Sequence, residues 1–177
     1  GHANFAPNTD LEIELLHYLR RAYSKSVSLE RLLCGPGLVT IYQFLVDKGV
    51  EREKPEIREA MRLEDPGAVI SRYALDGLDA LCEQALDIFC SVLGSHASNM
   101  VLTALATGGV YLGGGIPPKI LTKLKDGTFV RSYLSKERLS ELPTKTPVYV
   151  IKDDHAALLG AATLAEQMVR RPASVVL

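Results

Sequence analysis

Two side chains and one run of glycines carry most of the chemistry that can be read from this sequence. Glu30 lies four residues before Cys34-Gly35-Pro36-Gly37, at the end of a segment that delivers the chain to a helix N-terminus. A carboxylate there can accept hydrogen bonds from two neighbouring hydroxyls, the kind of contact that orients a carbohydrate. The plainer reading is a solvated glutamate paired with Arg31. His2 can donate and accept, which also suits a hydroxylated ligand, although a Gly-His at the start of a chain equally reads as the remnant of an expression tag. Gly113-Gly114-Gly115 stands between a β-prone tripeptide and a helix start. Absent side chains leave backbone open to a ligand, and a helix N-terminus adds positive potential. The run spells neither G-x-G-x-x-G nor a Walker loop, and such turns also serve packing alone.

Metal and thiol chemistry have less support. His17, His96 and His155 show no metal-ligand spacing with one another or with the cysteines, so no metal site is expected. Cys82 and Cys90 read as core thiols on a helix face. Cys34, at a helix N-terminus, could have a lowered thiol pKa, but a small packed side chain is the expected role. Three cysteines without a CxxC, and no leader pattern, point to free thiols in the cytoplasm.

The elements that must position these residues follow from periodicity. Thr9 followed by Glu12 makes a capping-box pattern, and Leu15, Leu16, Leu19 and Tyr23 continue it as one face of a helix over 10–23. Ser28 to Cys34 reads as extended, and Gly35-Pro36-Gly37 opens a helix carrying Leu38, Ile41, Tyr42 and Leu45, giving a strand-turn-helix unit. A charged stretch from Asp47 to Asp65 predicts a loop with a short exposed helix over Glu56–Arg62. From Leu78 to Leu105 the apolar spacing predicts the longest helix, bent at Gly94 and ended by Gly108-Gly109. Val110-Tyr111-Leu112 is β-prone, and the glycine turn leads into a helix beginning at Pro117-Pro118. A second strand at Val148–Ile151 precedes a last helix capped by Asp153 or Asp154, with Leu158, Ala162, Ala165, Met168 and Val169 along it. Alternating strands and helices imply an α/β domain with parallel strands.

With 177 residues, 47% of them hydrophobic, the chain has material for one domain with a real core. A net charge of −1 offers no field for nucleic acid or an anionic membrane. No apolar run approaches the roughly 18 residues of a membrane span. Small-molecule chemistry is the expectation.

Taken in order, several segments resemble the bacterial glucokinase family of actin-like, hexokinase-type sugar kinases. They are Gly1-His2-Ala3-Asn4-Phe5-Ala6-Pro7, Val27-Ser28-Leu29-Glu30-Arg31 running on to Gly35-Pro36-Gly37-Leu38, and Gly108-Gly109-Val110-Tyr111-Leu112-Gly113-Gly114-Gly115-Ile116. Pro147-Val148-Tyr149-Val150 and Leu158-Leu159-Gly160-Ala161-Ala162 complete the succession, which spans almost the whole chain. The resemblance implies the C-terminal lobe of an actin-like, ribonuclease H-like ATPase fold over 1–177, helix-rich with short, mainly parallel strands and lacking its first strands. It implies ATP-dependent phosphorylation of glucose to glucose 6-phosphate, with ATP and Mg²⁺, in the cytoplasm, and it admits a homodimer.

By position, the resemblance makes His2 and Glu30 glucose-binding residues and puts Gly113, Gly114 and Gly115 in the adenosine motif. Agreement through Phe5-Ala6-Pro7 argues against the tag reading of His2. Asn4 stands where aspartate is common and Cys34 where serine is common, which leaves a hydroxyl contact at Cys34 in question. The resemblance puts the catalytic aspartate and both phosphate turns upstream of Gly1, so this chain by itself is expected to be inactive. The competing readings are a related hexose or amino-sugar kinase and a non-catalytic interaction or regulatory module. A sugar kinase of the repressor and open-reading-frame family would follow its Gly-His with a cysteine-rich zinc motif, which nothing between Gly1 and Cys34 supplies.

Overall fold

The computed structural model describes residues 2–23, 26–153 and 155–170. The first helix, α1 (Asp10–Ala22), starts where the capping pattern predicts. Thr9 Oγ1 accepts the Glu12 amide at 3.2 Å, and Glu12 reaches back to accept the Asn8 amide at 2.6 Å. Glu12 is buried, and its other carboxylate oxygen takes the Ser91 hydroxyl at 2.8 Å, so the cap also ties α1 to the centre of the molecule.

Helices α2 (Gly35–Lys48), α3 (Pro55–Leu63) and α4 (Pro66–Leu75) follow, each with proline in its first turn. The exposed helix expected over Glu56–Arg62 is α3. Sequence reading passed over α4 altogether. At the centre lies α5 (Ala80–Ala104), whose buried side includes Leu81, Ala85, Leu86, Phe89, Val92 and Val101. It runs unbroken through Gly94, because that glycine is where α8 (Thr128–Leu134) rests on it: a Cβ there would run into the Phe129 carbonyl. The helix ends at Ala104, earlier than Gly108-Gly109, with Leu105 itself in the left-handed region at φ 48°. Burial pushes the Cys82 thiol up, and the Cys90 thiol up to about 12, as core cysteines should behave. α5 is the one helix among the described residues long and apolar enough to cross a membrane, and most of it is this core.

Beyond α5 the chain forms β1 (Val110–Leu112), the short helices α6 (Ile116–Lys119) and α7 (Leu121–Leu124), then α8, α9 (Glu141–Lys145), β2 (Val148–Val150) and α10 (Ala156–Arg170). Where one helix is expected after the glycine turn, four short ones stand before β2. β1 and β2 pair in parallel, with Val110 opposite Val148, Tyr111 opposite Tyr149 and Leu112 opposite Val150. Alternation turns Leu112 into the core and leaves Tyr111 and Tyr149 stacked on the outer face, ring centres 5.0 Å apart. The domain is therefore helix-rich α/β with two parallel strands among the described residues. Asp153 accepts the His155 amide before α10. The alternative cap, Asp154, lies outside the described residues, as does Gly1.

Candidate functional site

The segment before α2 is not the extended strand that its sequence suggests. Leu29–Arg31 form a 3₁₀ turn, and only the residues ahead of it run extended. There Phe5 donates its amide to the Val27 carbonyl and Leu29 donates to the Ala3 carbonyl, both at 2.8 Å, around an antiparallel bridge between Asn4 and Ser28. Just past that bridge, where the chain enters the 3₁₀ turn, His2 and Glu30 come together. Their side chains meet, Nε2 to Oε2, at 3.3 Å, with 87% and 57% of each exposed. A pair so open to water adds little to stability, yet its donor and acceptor face outward together. Arg31 does not pair with Glu30: its guanidinium lies over the Tyr23 ring, 4.5 Å from the centroid.

These residues line a polar depression of about 500 Å³, with Ser26, Ser28, Cys34, Pro36 and Thr40 completing the wall. Its far side is the first turn of α2. Cys34 caps that helix, its Sγ accepting the Gly37 amide at 3.3 Å, and Thr40 donates its hydroxyl to the Pro36 carbonyl at 2.9 Å. Gly37 is obligatory here, since a Cβ would collide with the backbone of Leu32. The small-side-chain role expected of Cys34 is thus a capping role, and the thiol stays half-exposed on the depression.

On the other side of the same turn lies a second cleft, of about 340 Å³, between the starts of α2 and α4 and the short helix α6. Gly35 forms its near wall, Leu38, Ile116 and Ile120 its apolar floor, and Asp65, Ser71, Asp76 and Lys119 its polar rim. The two helix starts approach closely at Gly67, where a Cβ would sit 3.2 Å from the Gly35 carbonyl oxygen, whereas a Cβ on Gly35 would meet nothing within 4 Å. Asp65 caps α4 through the Gly67 amide at 3.0 Å, and Ser71 spends its hydroxyl proton on the Gly67 carbonyl at 2.8 Å. Ser71 therefore offers the cleft an acceptor. Arg72, at the rim, is held in a two-pronged pair with Glu64 at 2.7 and 3.0 Å.

Gly113-Gly114-Gly115 leads directly into Ile116 on the cleft floor. Gly114 has φ +94°, a region that favours glycine, whereas Gly115 has an ordinary φ of −75°. No protein atom lies within 4 Å of a Cβ built on Gly114 or Gly115, and Gly113 has only the Ile151 side-chain tip at 3.6 Å. Packing therefore does not require the second and third glycines to be bare. The helix behind them is one turn long, so the positive potential expected of a helix N-terminus is slight, and open backbone is what the turn presents.

The structure brings His2 to Glu30 beside Cys34 and Pro36, while Gly35 faces a separate cleft whose floor residue Ile116 follows directly on the glycine turn. Sequence reading missed the rim residues along with α4. The signal was there in Asp65-Pro66-Gly67 followed by Val69, Ile70, Tyr73 and Ala74, a cap, an N1 proline and a helical stripe.

Comparison with known proteins gives a consistent result. The family model described as Glucokinase matches residues 1–168. The glucokinase of Nostoc sp. is 39% identical over 180 aligned residues, covering 95% of this chain and 53% of that protein. Among solved structures, glucokinase from an Antarctic psychrotroph matches with a TM-score of 0.78 at 32% identity, over 94% of this chain and 49% of that one. Glucokinase from Balamuthia mandrillaris, solved in complex with glucose, shares the fold with a TM-score of 0.77 at 20% identity, over 94% and 46%. The chain spans about half the length of the relatives it matches.

Proposed function

The chain belongs to the glucokinase family, and from that premise we propose that it is the C-terminal, actin-like lobe of a cytoplasmic kinase that moves the ATP γ-phosphoryl group to glucose. In this reading His2 and Glu30 hold the sugar, and Gly113, Gly114 and Gly115 receive the adenosine, whose base enters the apolar cleft beside them. One observation carries it: Cys34 and Pro36 line the polar depression while Gly35, between them in the chain, lines the apolar cleft. A transfer reaction needs its donor and acceptor in adjoining sites, and this pair of sites differs in polarity as a sugar and a purine do.

Transfer forms a bond between the sugar 6-oxygen and γ-phosphorus and breaks the bond to the β-phosphate oxygen, which leaves with the electron pair as ADP. The hydroxyl proton must go to a base. Glu30 and His2, committed to the ring hydroxyls, orient the sugar and leave that role to a residue outside this chain. Glu30 accepts from hydroxyls, and His2 donates or accepts according to its tautomer. Mg²⁺ belongs to the same proposal as a partner of the ATP phosphates. Among the described residues no three His, Cys, Asp or Glu side chains converge, and no step of this reading runs through the ion.

The test is twofold. A coupled assay for glucose 6-phosphate should stay at background with the 177-residue chain, while calorimetric titration of a longer protein containing it should detect both glucose and ATP. Turnover by the chain alone would refute the division of labour, and a longer protein that binds neither ligand would refute the function.

A further inference from the structure

The inner face of the strand pair borders a pocket that neither proposed site uses. β1 and β2 turn Leu112, Val148 and Val150 to the same face, and α7 and α8 bring Leu124 and Phe129 to them around a space of about 670 Å³. That is the size of a small-molecule site, larger than either the sugar depression or the cleft beside it.

The polar groups of the lining decide what can enter. Tyr133 donates its hydroxyl to the Thr146 carbonyl at 3.1 Å, Thr144 to the Ser140 carbonyl at 2.7 Å, and Thr146 to the Leu142 carbonyl at 2.9 Å. A sugar or a base buried among them would find no hydroxyl proton for its own acceptors, which is costly. The body of a ligand here must be apolar, and an alkyl chain suits a floor made mostly of branched aliphatic side chains. Charge sets the other end. The lining contains no Asp or Glu, and its two charged residues are lysines, Lys125 and Lys152, both exposed. The carboxylates next to them in the chain have other partners: Asp126 pairs with Lys123 at 2.8 Å, and Asp153 accepts the His155 amide at 2.8 Å. Among the described residues neither Lys125 nor Lys152 makes an ion pair.

We propose that this pocket binds a fatty carboxylate, its chain laid along the apolar floor and its head at the lysine rim. The proposal is independent of the sugar and nucleotide assignments.

Calorimetric titration of the full-length protein with decanoate should give saturable one-to-one binding. Decylamine, similar in chain and opposite in charge, should bind at least about 10-fold more weakly. Lys125→Ala and Lys152→Ala should each weaken decanoate about threefold to tenfold, and Val130→Asp, which sets a carboxylate in the lining, by about 10-fold or more. All three side chains are exposed, so melting temperatures should match the parent. Lys145→Ala, an exposed lysine outside the pocket, should leave binding unchanged. The proposal is overturned if decanoate does not saturate below about 1 mM, if decylamine binds equally well, or if binding is indifferent to Val130→Asp. Self-association seen by light scattering and lost in Val130→Asp also overturns it and gives the face to a second copy.

Discussion

On one side of the Cys34-Gly35-Pro36 turn the depression is lined by side chains that hydrogen-bond, among them His2, Ser28, Glu30 and Thr40. On the other, the cleft is floored by Leu38, Ile116 and Ile120, and the glycine turn adjoins it only in sequence, ending one residue before Ile116. In the proposed function the first recognises through charge and hydrogen bonds, the second through shape and bare backbone. Substitutions should therefore separate the two sites, except at the wall they share.

The largest effect is expected next to that wall, at Gly37, whose amide Cys34 caps. Gly37→Ala drives a methyl group into the Leu32 backbone, which cannot move aside as a side chain would. It should cost about 3 kcal/mol, the upper end for overpacking, and weaken both ligands together. Urea unfolding of this chain checks the first part, and an unchanged midpoint would mean the wall has slack.

Glu30→Gln should touch the polar side alone. Losing charge-assisted hydrogen bonds to hydroxyls should weaken glucose binding by about 1.5–3 kcal/mol in the full-length enzyme, with ATP affinity and melting temperature held. Equal glucose affinity in mutant and parent would return Glu30 to an ordinary surface residue.

Gly115→Ala should touch the apolar side alone. Its φ of −75° suits alanine and the space is empty, so stability should hold or rise by about 0.4–1 kcal/mol, while ATP binding falls through crowding by about 1 kcal/mol. Gly114→Ala is the control, since φ +94° makes it cost about 1 kcal/mol of stability with or without nucleotide. If Gly115→Ala bound ATP as the parent does, the adenosine would have to lie elsewhere.

The smallest effect belongs to Cys34→Ser. A hydroxyl is a better acceptor than a thiol for the Gly37 amide, so α2 should gain about 0.5 kcal/mol. Calorimetric melting resolves a gain of that size, and a loss would show that sulfur packing outweighs the cap.

These expectations were unevenly legible in the residues. Periodicity and caps locate α1, α2, α5 and both strands, because apolar spacing and N-terminal side chains act over a few residues. It could not show that Glu30 sits on a 3₁₀ turn, since that turn is imposed by the ladder to Ala3 and Phe5, more than twenty residues away. Nor does Gly94 announce itself as a contact with Phe129: a glycine inside a helical pattern reads as a bend until the neighbouring helix is seen. His2 and Glu30 were paired from sequence by resemblance alone, and the Asn4–Ser28 bridge beside them supplies the physical reason for their meeting. The cleft beside them escaped because much of its rim lies on α4, whose cap, N1 proline and apolar stripe begin just past the charged stretch that ends at Asp65 and went unread with it.

One consequence of the shared wall reaches past either site. If a ligand on one side shifts Cys34-Gly35-Pro36, the other side experiences that shift, and reciprocity then fixes its size: whatever factor a bound sugar imposes on nucleotide affinity, a bound nucleotide imposes on sugar affinity. A wall one turn thick makes binding order and cooperativity properties of the same three residues.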